Sequence, residues 1–310
     1  MAPRTSGGEI ARGMAVRWSR PGPQTGSEDG SEGLATIASG LVDAAEVSHP
    51  VFLLYHQVCA DQDWTPSEFT VTASAFRRQM SYLRNHGFHS VPLSSVLGDT
   101  PPRPAVGSRP VVITFDDGYA DTFENALPIL VEFGFTAAVF PVLDMSRRTS
   151  WWATPGEPPA RLLSPVELRA LADAGIELGS HTLTHPRLTR ATDAELSREL
   201  ARSREILSDL VDAPVPVVAY PYGDVDGRVK RAAREAGYSA GLAVSSGPMD
   251  PHADRYEIRR EAIENVASDA YMTVKLSRAR RLYAWSKWKV RTGLDRLRNR
   301  GPDARPAASR

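Results

Sequence analysis

The stretch Val111-Val-Ile-Thr-Phe-Asp-Asp-Gly118 joins an apolar run of strand length to two carboxylates and a glycine. A short apolar run bounded by turn residues is typical of a strand that is buried on both faces. A helix is predicted from about Asp121 to Phe133, and Gly134 supplies a stop signal. The segment therefore predicts a buried strand and a helix, with Asp116 and Asp117 where the strand ends.

The same alternation of short apolar runs and capped helices continues on both sides of this unit. Further strands are predicted at residues 51–55, 135–140, 176–179, 217–220, 239–244 and 256–263. Further helices are predicted around Phe76, Met80 and Leu83, after the capping residues Ser164 and Thr192, and near 228–236. This alternation favours parallel strands wrapped by helices, and about seven such units fit a barrel better than an open sheet. Periodicity alone leaves the closure of the barrel open.

The composition excludes several classes of protein. Hydrophobic residues make up 42% and charged residues 24%, which excludes a wholly disordered or fibrous chain. No apolar run approaches the ~18–20 residues that span a bilayer, so an integral membrane protein is not expected. The single cysteine, Cys59, can form neither an intrachain disulfide nor a cysteine-rich zinc site.

Residues 1–48 differ from the body in composition. They are rich in Gly, Ser, Thr and Pro, which predicts a disordered or poorly ordered segment. They contain no continuous apolar core behind a positive start, so no secretory signal is expected, and the location is expected to be cytoplasmic or peripheral at a membrane. The predicted organisation is therefore this segment, a body at 49–270, and a C-terminal segment at 271–310.

The C-terminal segment is strongly basic. Residues 275–310 carry 12 Lys and Arg against 2 Asp and Glu, whereas the other residues carry 25 against 35. Apolar residues recur there at near-helical spacing together with Trp285 and Trp288, a pattern that suits the surface of an anionic membrane. A helix docked on the barrel and a solvated tail are the alternatives. No nucleic-acid partner is expected, because the body is acidic and lacks a recognised binding motif.

Two histidines follow the predicted strand at 176–179, in His181-Thr-Leu-Thr-His185. Imidazoles at positions i and i+4 can meet on one side of a turn and bind one metal. Zinc accepts imidazole nitrogen and carboxylate oxygen together, and a catalytic site keeps three protein ligands and leaves room for water. One Asp of the Asp116–Asp117 pair with His181 and His185 would supply those three. The alternative is a pair of unrelated polar loop residues.

A third polar segment, Tyr220-Pro-Tyr-Gly-Asp224, follows the strand predicted at 217–220. Two aromatic rings around a proline would make a stiff apolar wall, and the backbone N–H of Tyr222 would be free to point into a pocket. The alternative is an ordinary exit from a strand into a loop, and alone this segment indicates little.

Taken in order, Thr-Phe-Asp-Asp-Gly-Tyr, His-Thr-Leu-Thr-His-Pro and Tyr-Pro-Tyr-Gly resemble the polysaccharide deacetylase family, the NodB-like enzymes of carbohydrate esterase family 4. The resemblance covers roughly residues 50–265 and implies an α/β fold, a distorted (β/α)7 barrel known as the NodB homology domain. It implies that Asp117, His181 and His185 hold a divalent metal, with Zn²⁺ as the expected ion. It further implies that Asp116 is the general base and that the Tyr222 N–H forms part of the oxyanion hole.

The chain departs from the family pattern at two positions. Many members carry a general-acid His in a late Leu-x-His motif and an Arg before Tyr-Pro, and this chain has neither. The segment Leu53-Leu-Tyr-His-Gln-Val58, however, resembles the first barrel motif of the subgroup that deacetylates poly-N-acetylglucosamine. In that subgroup the His near the start of the barrel is the general acid. His56 is therefore the predicted acid. The alternation from Tyr256 to Arg260 makes Arg260 the candidate that orients the base, with a surface charge as the alternative.

The expected function is metal-dependent hydrolysis of the N-acetyl group of an N-acetylated sugar in a polysaccharide or glycan. Two other functions remain open. The same site chemistry would serve an amidohydrolase acting on a non-sugar N-acyl compound. A carbohydrate-binding domain that has lost turnover is disfavoured, because both the metal ligands and the base are present.

Overall fold

The computed structural model describes residues 50–64, 67, 69–98, 107–152, 159–244 and 254–277. The predictions for residues 1–49 and for the basic segment from residue 278 onward lie outside this part of the chain. Within it, no helix has both the length and the apolar character needed to cross a membrane. The described residues give no support to the predicted contact with a membrane surface.

Seven parallel strands form the main sheet, in the order β7-β6-β5-β1-β10-β9-β8, and β4 pairs with the start of β5. β2 and β3 form a separate two-stranded sheet. The strands are β1 (Val51–Tyr55), β2 (Gln57–Cys59), β3 (Thr70–Thr72), β4 (Phe88–Ser90), β5 (Arg109–Asp117), β6 (Ala138–Pro141), β7 (Glu177–Leu178), β8 (Val217–Ala219), β9 (Ala240–Val244) and β10 (Ile258–Ala262).

The two edge strands of the main sheet, β7 and β8, meet at Ser180, just after β7. The Ser180 N–H donates to the Val217 carbonyl at 3.0 Å, and the Ala219 N–H donates to the Ser180 carbonyl at 2.8 Å. This short parallel bridge joins β7 to β8 and brings the sheet round into a distorted barrel. The predicted (β/α)7 barrel is confirmed.

The helices lie between the strands, as expected for parallel pairing. They are α1 (Ala73–Asn85), α2 (Leu93–Leu97), α3 (Leu127–Phe133), α4 (Pro165–Asp173), α5 (Asp193–Val211), α6 (Gly227–Glu235) and α7 (Asp269–Leu276). Ser164 and Thr192 cap α4 and α5 as predicted, each in a reciprocal box with the glutamate three residues later.

The helix predicted from Asp121 begins instead as a wide π turn at Thr122–Ala126. The Leu127 N–H reaches back five residues to the Thr122 carbonyl. Pro128, the next residue, has no N–H to donate to the carbonyl of Glu124, so regular α-helical bonding cannot run through this point. The strand predicted from Phe135 likewise starts only at Ala138.

The first described turns of the predicted C-terminal segment dock on the body. α7 buries Met272 and Leu276, and Tyr82 of α1 lies 2.9 Å from Thr273 through their hydroxyl oxygens. The Lys275 ammonium donates to the Ala262 carbonyl at the end of β10, at 2.9 Å. The chain up to Ser277 is therefore part of the packed body.

The barrel core supports the C-terminal ends of β1 and β5. All of β1 is buried, and the Tyr55 ring packs against the rings of Phe76 and Phe115, at centroid distances of 5.1 and 5.5 Å. The parallel register aligns Tyr55 with Phe115 and places Asp117 beside Pro141 of β6. The residues that follow these strands therefore share one edge of the barrel.

Candidate metal centre and active site

Asp117, His181 and His185 converge at this edge. The Nε2 atoms of both histidines lie 3.3 Å from Asp117 Oδ1, and the three candidate ligand atoms lie within 4.8 Å of one another. All three side chains are buried. Asp117 ends β5, whereas the histidines belong to the loop after β7, two strands away in the sheet.

The donor set fits a cation. The Nδ1 atom of His181 lies 2.8 Å from the Ala219 carbonyl oxygen, so Nδ1 carries the proton and Nε2 presents its lone pair to Asp117. Asp117 Oδ1 is buried and has no hydrogen-bond partner among the described residues. A buried carboxylate oxygen without a donor, facing imidazole nitrogens, is the arrangement that a divalent metal satisfies.

His185 is oriented by ring packing. Its Nδ1 atom is buried and has no hydrogen-bond partner within the described part of the chain. Trp152 stacks on the ring at a centroid distance of 4.6 Å and an interplanar angle of 25°. The Tyr222 ring packs against it at 4.7 Å and 63°. These two aromatic side chains fix the plane of the imidazole.

The backbone of the site is strained. Among the described residues, five that are not glycine have positive φ, and four of them belong to this site. They are Asp117 (φ 71°), Thr182 (67°), His185 (61°) and Tyr222 (59°). Such conformations persist only where the surrounding structure holds them, and they concentrate at functional sites.

Asp116 forms a buried ion pair with Arg260. The guanidinium donates to both carboxylate oxygens, at 2.7 and 2.6 Å, and also to the Thr114 hydroxyl at 3.1 Å. Asp116 and Arg260 are each 1% exposed, which excludes the alternative of a surface charge for Arg260. Burial favours the neutral carboxyl, but Arg260 and His181 outweigh it and hold the pKa of Asp116 below its ordinary value. Asp116 is therefore a buried, ionised acceptor.

His56 follows β1 at the same edge of the barrel. Its ring packs against Phe69 at a centroid distance of 5.0 Å. Burial lowers the pKa of His56, and the negative charges of Asp117 and Asp116 oppose that shift. The imidazole is thus close enough to both carboxylates to sense their charge.

Tyr222 lies in the tight turn Pro221–Gly223 after β8. Tyr222 is 47% exposed, and the Arg187 guanidinium lies over its ring at 4.2 Å. The N–H groups of Gly223 and Asp224 donate to carbonyls of the same turn, at 2.9 and 3.0 Å. Tyr222 itself has a positive φ of 59°, so its backbone departs from the regular geometry of this turn.

Sequence reasoning missed the aromatic side chains on the other side of the cluster. Trp152 lies against His185, and Trp151 packs edge-on against Trp152 at 4.7 Å. The Trp151-Trp152 pair falls in the loop after β6, at the barrel edge that carries the metal ligands. Two adjacent tryptophans after a predicted strand were the available signal.

Three comparisons relate the chain to known proteins. The family model for polysaccharide deacetylases matches residues 103–241. A poly-β-1,6-N-acetyl-D-glucosamine N-deacetylase from Staphylococcus epidermidis is 24% identical over 220 residues, covering 66% of this chain and 71% of that protein. YxkH of Bacillus subtilis is 23% identical over 210 residues, covering 67% and 69%.

Solved structures share the fold. The deacetylase PplD of Streptococcus pyogenes, solved with acetate, superposes with a TM-score of 0.64 at 20% identity and covers 75% of this chain and all of that one. IcaB from Ammonifex degensii superposes with a TM-score of 0.55 at 19% identity, covering 74% and 97%. In its three motifs, its barrel and its matching family model, the chain is similar to the polysaccharide deacetylases, hydrolases that act on carbon–nitrogen bonds other than peptide bonds.

Proposed function

We propose that this protein removes acetyl groups from N-acetylated sugar units of a polymer, with a divalent metal held by Asp117, His181 and His185. One observation carries the proposal. Neighbouring carboxylates at the end of β5 have separate partners, so Asp117 faces two imidazoles while Asp116 is held ionised by Arg260. Metal-assisted hydrolysis needs both a ligand set and a separate base. Asp117 completes the ligand set with the two histidines, and Asp116 provides the base.

Zn²⁺ is the ion that we propose for the cluster. Two imidazole nitrogens and one carboxylate oxygen suit zinc, and three protein ligands leave positions for water and substrate. When bound, the ion polarises the amide carbonyl and makes a water molecule easier to deprotonate.

The residues around the cluster account for the proton transfers. Asp116 accepts a proton from the attacking water, whose oxygen forms the new bond to the carbonyl carbon. The Tyr222 N–H donates to the oxygen that becomes negative, since the neighbouring N–H groups of its turn are already bonded. The C–N bond then breaks as His56 gives a proton to the nitrogen, which releases acetate and an amine.

Replacing His56 by alanine should reduce kcat by roughly 10²–10⁴-fold, because the nitrogen is a poor leaving group unless it is protonated. Metal content and fold should stay unchanged, since His56 is not a ligand. The alkaline limb of the pH–rate profile should also disappear, because it reports loss of the proton from this acid. Near wild-type kcat in His56→Ala would contradict the assignment and point to His252, which lies outside the described residues.

Replacing Arg260 by lysine should move the acidic limb of kcat/KM upward by about one pH unit. Burial raises the pKa of Asp116, and the bidentate guanidinium helps to lower it below its ordinary value. Lysine keeps the charge but loses the two-point contact, so the pKa rises and the base ionises only at higher pH. A pH profile of the folded variant measures this, and an unmoved acidic limb would contradict the positioning role.

The aromatic side chains of Tyr222 and Trp152 beside the metal centre support a sugar substrate. Tyr222 and Trp152 contact His185 from two sides, and Tyr222 remains 47% exposed. Rigid aromatic faces with a few polar groups are typical of sites that bind a ring-shaped ligand. The name of the staphylococcal relative indicates poly-N-acetylglucosamine as the polymer to test first.

The substrate class is tested by acetate release from two sets of compounds. N-acetylglucosamine oligosaccharides of increasing length should be hydrolysed, whereas N-acetyl amino acids should not. Equal hydrolysis of N-acetyl amino acids would favour a general amidohydrolase. Saturable binding of the oligosaccharides without acetate release would favour a non-catalytic carbohydrate-binding domain.

A further inference from the structure

The loop that carries His185 is held from outside the barrel by a buried carboxylate on α5. Glu199 is 2% exposed. Its Oε2 accepts the Leu183 N–H at 3.0 Å and the Thr184 N–H at 2.8 Å, and its Oε1 accepts the Thr184 hydroxyl at 2.8 Å. Among the described residues, the nearest cation is the Arg198 guanidinium, which lies 3.9 Å away on an exposed side chain. Three donors from the loop therefore satisfy this charge.

The two histidines of the loop are supported in different ways. His181 is fixed through its ring to the Ala219 carbonyl and through its N–H to the Pro141 carbonyl, at 2.8 and 3.0 Å. The His185 ring has no comparable hydrogen bond, because its Nδ1 atom lacks a partner among the described residues. Trp152 and Tyr222 fix the plane of the His185 ring, and the place of the ring along the loop depends on the backbone that precedes it.

That backbone is strained on both sides of the residues that Glu199 holds. Thr182 and His185 both have positive φ, and Leu183 and Thr184 lie between them. A segment of this kind keeps its shape only if external contacts fix it. The Thr182 hydroxyl accepts the His185 N–H at 3.2 Å, but that contact lies within the loop. Glu199 supplies contacts from a separate, rigid helix.

A second link on the same face of α5 supports this geometry. Ser203, one turn after Glu199, accepts a hydrogen bond from the Ser180 hydroxyl at 2.8 Å. Ser180 in turn accepts the Thr182 N–H at 3.1 Å. The helix thus fixes both the start and the middle of the ligand loop.

We infer that Glu199 is a positioning residue that sets the location of His185 and thereby the affinity of the metal centre. This inference rests on the proposed metal site. Residues that support metal ligands from a second layer typically change metal affinity or activity by about 10–100-fold when they are removed. A carboxylate suits the task, because its two oxygens can accept both backbone N–H groups and the hydroxyl at once.

The test is the Zn²⁺ dissociation constant of the folded protein, measured by competition with a chromophoric chelator. Glu199→Ala should bind Zn²⁺ about 10–100-fold more weakly than the wild type. Glu199→Gln should recover most of the affinity, because its amide oxygen can still accept the two backbone N–H groups. Glu205→Gln is the matched control on α5, since Glu205 is paired only with Arg202 near the surface among the described residues, and it should not change the constant.

The outcomes separate this inference from the proposed function. A wild-type chain that binds no Zn²⁺ would overturn the proposed metal site itself. Wild-type binding with an unchanged constant in Glu199→Ala would overturn only the role of Glu199, even if thermal stability fell. If Glu199→Ala does not fold, Thr184→Val removes one of the three contacts at nearly constant volume. It should weaken Zn²⁺ binding severalfold, and an unchanged constant would contradict the inference.

Discussion

Replacing Asp117 by alanine should abolish metal binding and lower turnover by roughly 10⁴-fold or more, because the Lewis acid is worth several kcal/mol in the transition state. The buried Oδ1 of Asp117 faces both imidazoles, at 3.3 Å from each Nε2. His181→Ala and His185→Ala should have the same consequence. Metal content by elemental analysis and acetate release from the same preparations measure the two effects.

His89→Ala is the matched control for the loss of an imidazole. His89 lies in β4 and aligns with Pro110, at the opposite end of β5 from Asp117. This variant should retain both metal and turnover. A stoichiometric metal content in Asp117→Ala would contradict the proposed ligand set.

Replacing Asp116 by asparagine should lower kcat by roughly 10³–10⁴-fold while the metal stays bound. Asparagine keeps the shape of the side chain but cannot accept a proton from water at neutral pH. It also leaves the buried Arg260 without its counter-charge, so the variant should lose about 3–5 kcal/mol of stability. Activity must therefore be expressed per folded molecule, with folding followed by circular dichroism at the assay temperature.

Asp144→Asn is the matched control for Asp116→Asn, because it makes the same change of charge in the loop that follows β6. Asp144 contacts Ser146 and Arg147 in that loop. This variant should leave kcat close to the wild-type value. If folded, metal-loaded Asp116→Asn kept most of its turnover, Asp116 would not be the base. The comparison of these two adjacent residues is decisive. Asp117→Ala should remove the metal, whereas Asp116→Asn should keep the metal and remove turnover.

Much of the barrel could be predicted from the sequence, because parallel strands buried on both faces appear as short, mostly apolar runs. Val51–Tyr55 and Val111–Phe115 are such runs, and both are buried strands. The capping boxes at Ser164 and Thr192 depend on local spacing, so they too were visible. The common edge of the site follows from parallel pairing, since every strand then ends on the same side.

Other features depend on contacts that local patterns do not encode. β4 is three residues long with one exposed side chain, so it gives no apolar run. Closure rests on Ser180, a single polar residue that pairs with β8 through backbone atoms. Glu199 appears in the sequence as one more acidic residue of an amphipathic helix, and only the fold brings it to the ligand loop.

Arg260 shows what the strand alternation at residues 256–260 could predict and what it could not. Strand alternation placed it on one face with Tyr256 and Ile258, which made it a candidate for contact with the base. The alternation alone could not show that Asp116 is its partner, because β10 and β5 are separated by β1 in the sheet and by more than a hundred residues in the chain. The resemblance supplied that partner.

The central claim is that one metal ion at Asp117, His181 and His185 is required for hydrolysis of an N-acetyl group. The most direct measurement strips the protein with a chelator, adds Zn²⁺ back in steps, and follows acetate release from N-acetylglucosamine oligosaccharides. We predict no release from the stripped protein, a linear rise up to one equivalent of Zn²⁺, and no rise for Asp117→Ala. Acetate release that survives chelation, or that rises equally in Asp117→Ala, would contradict the claim.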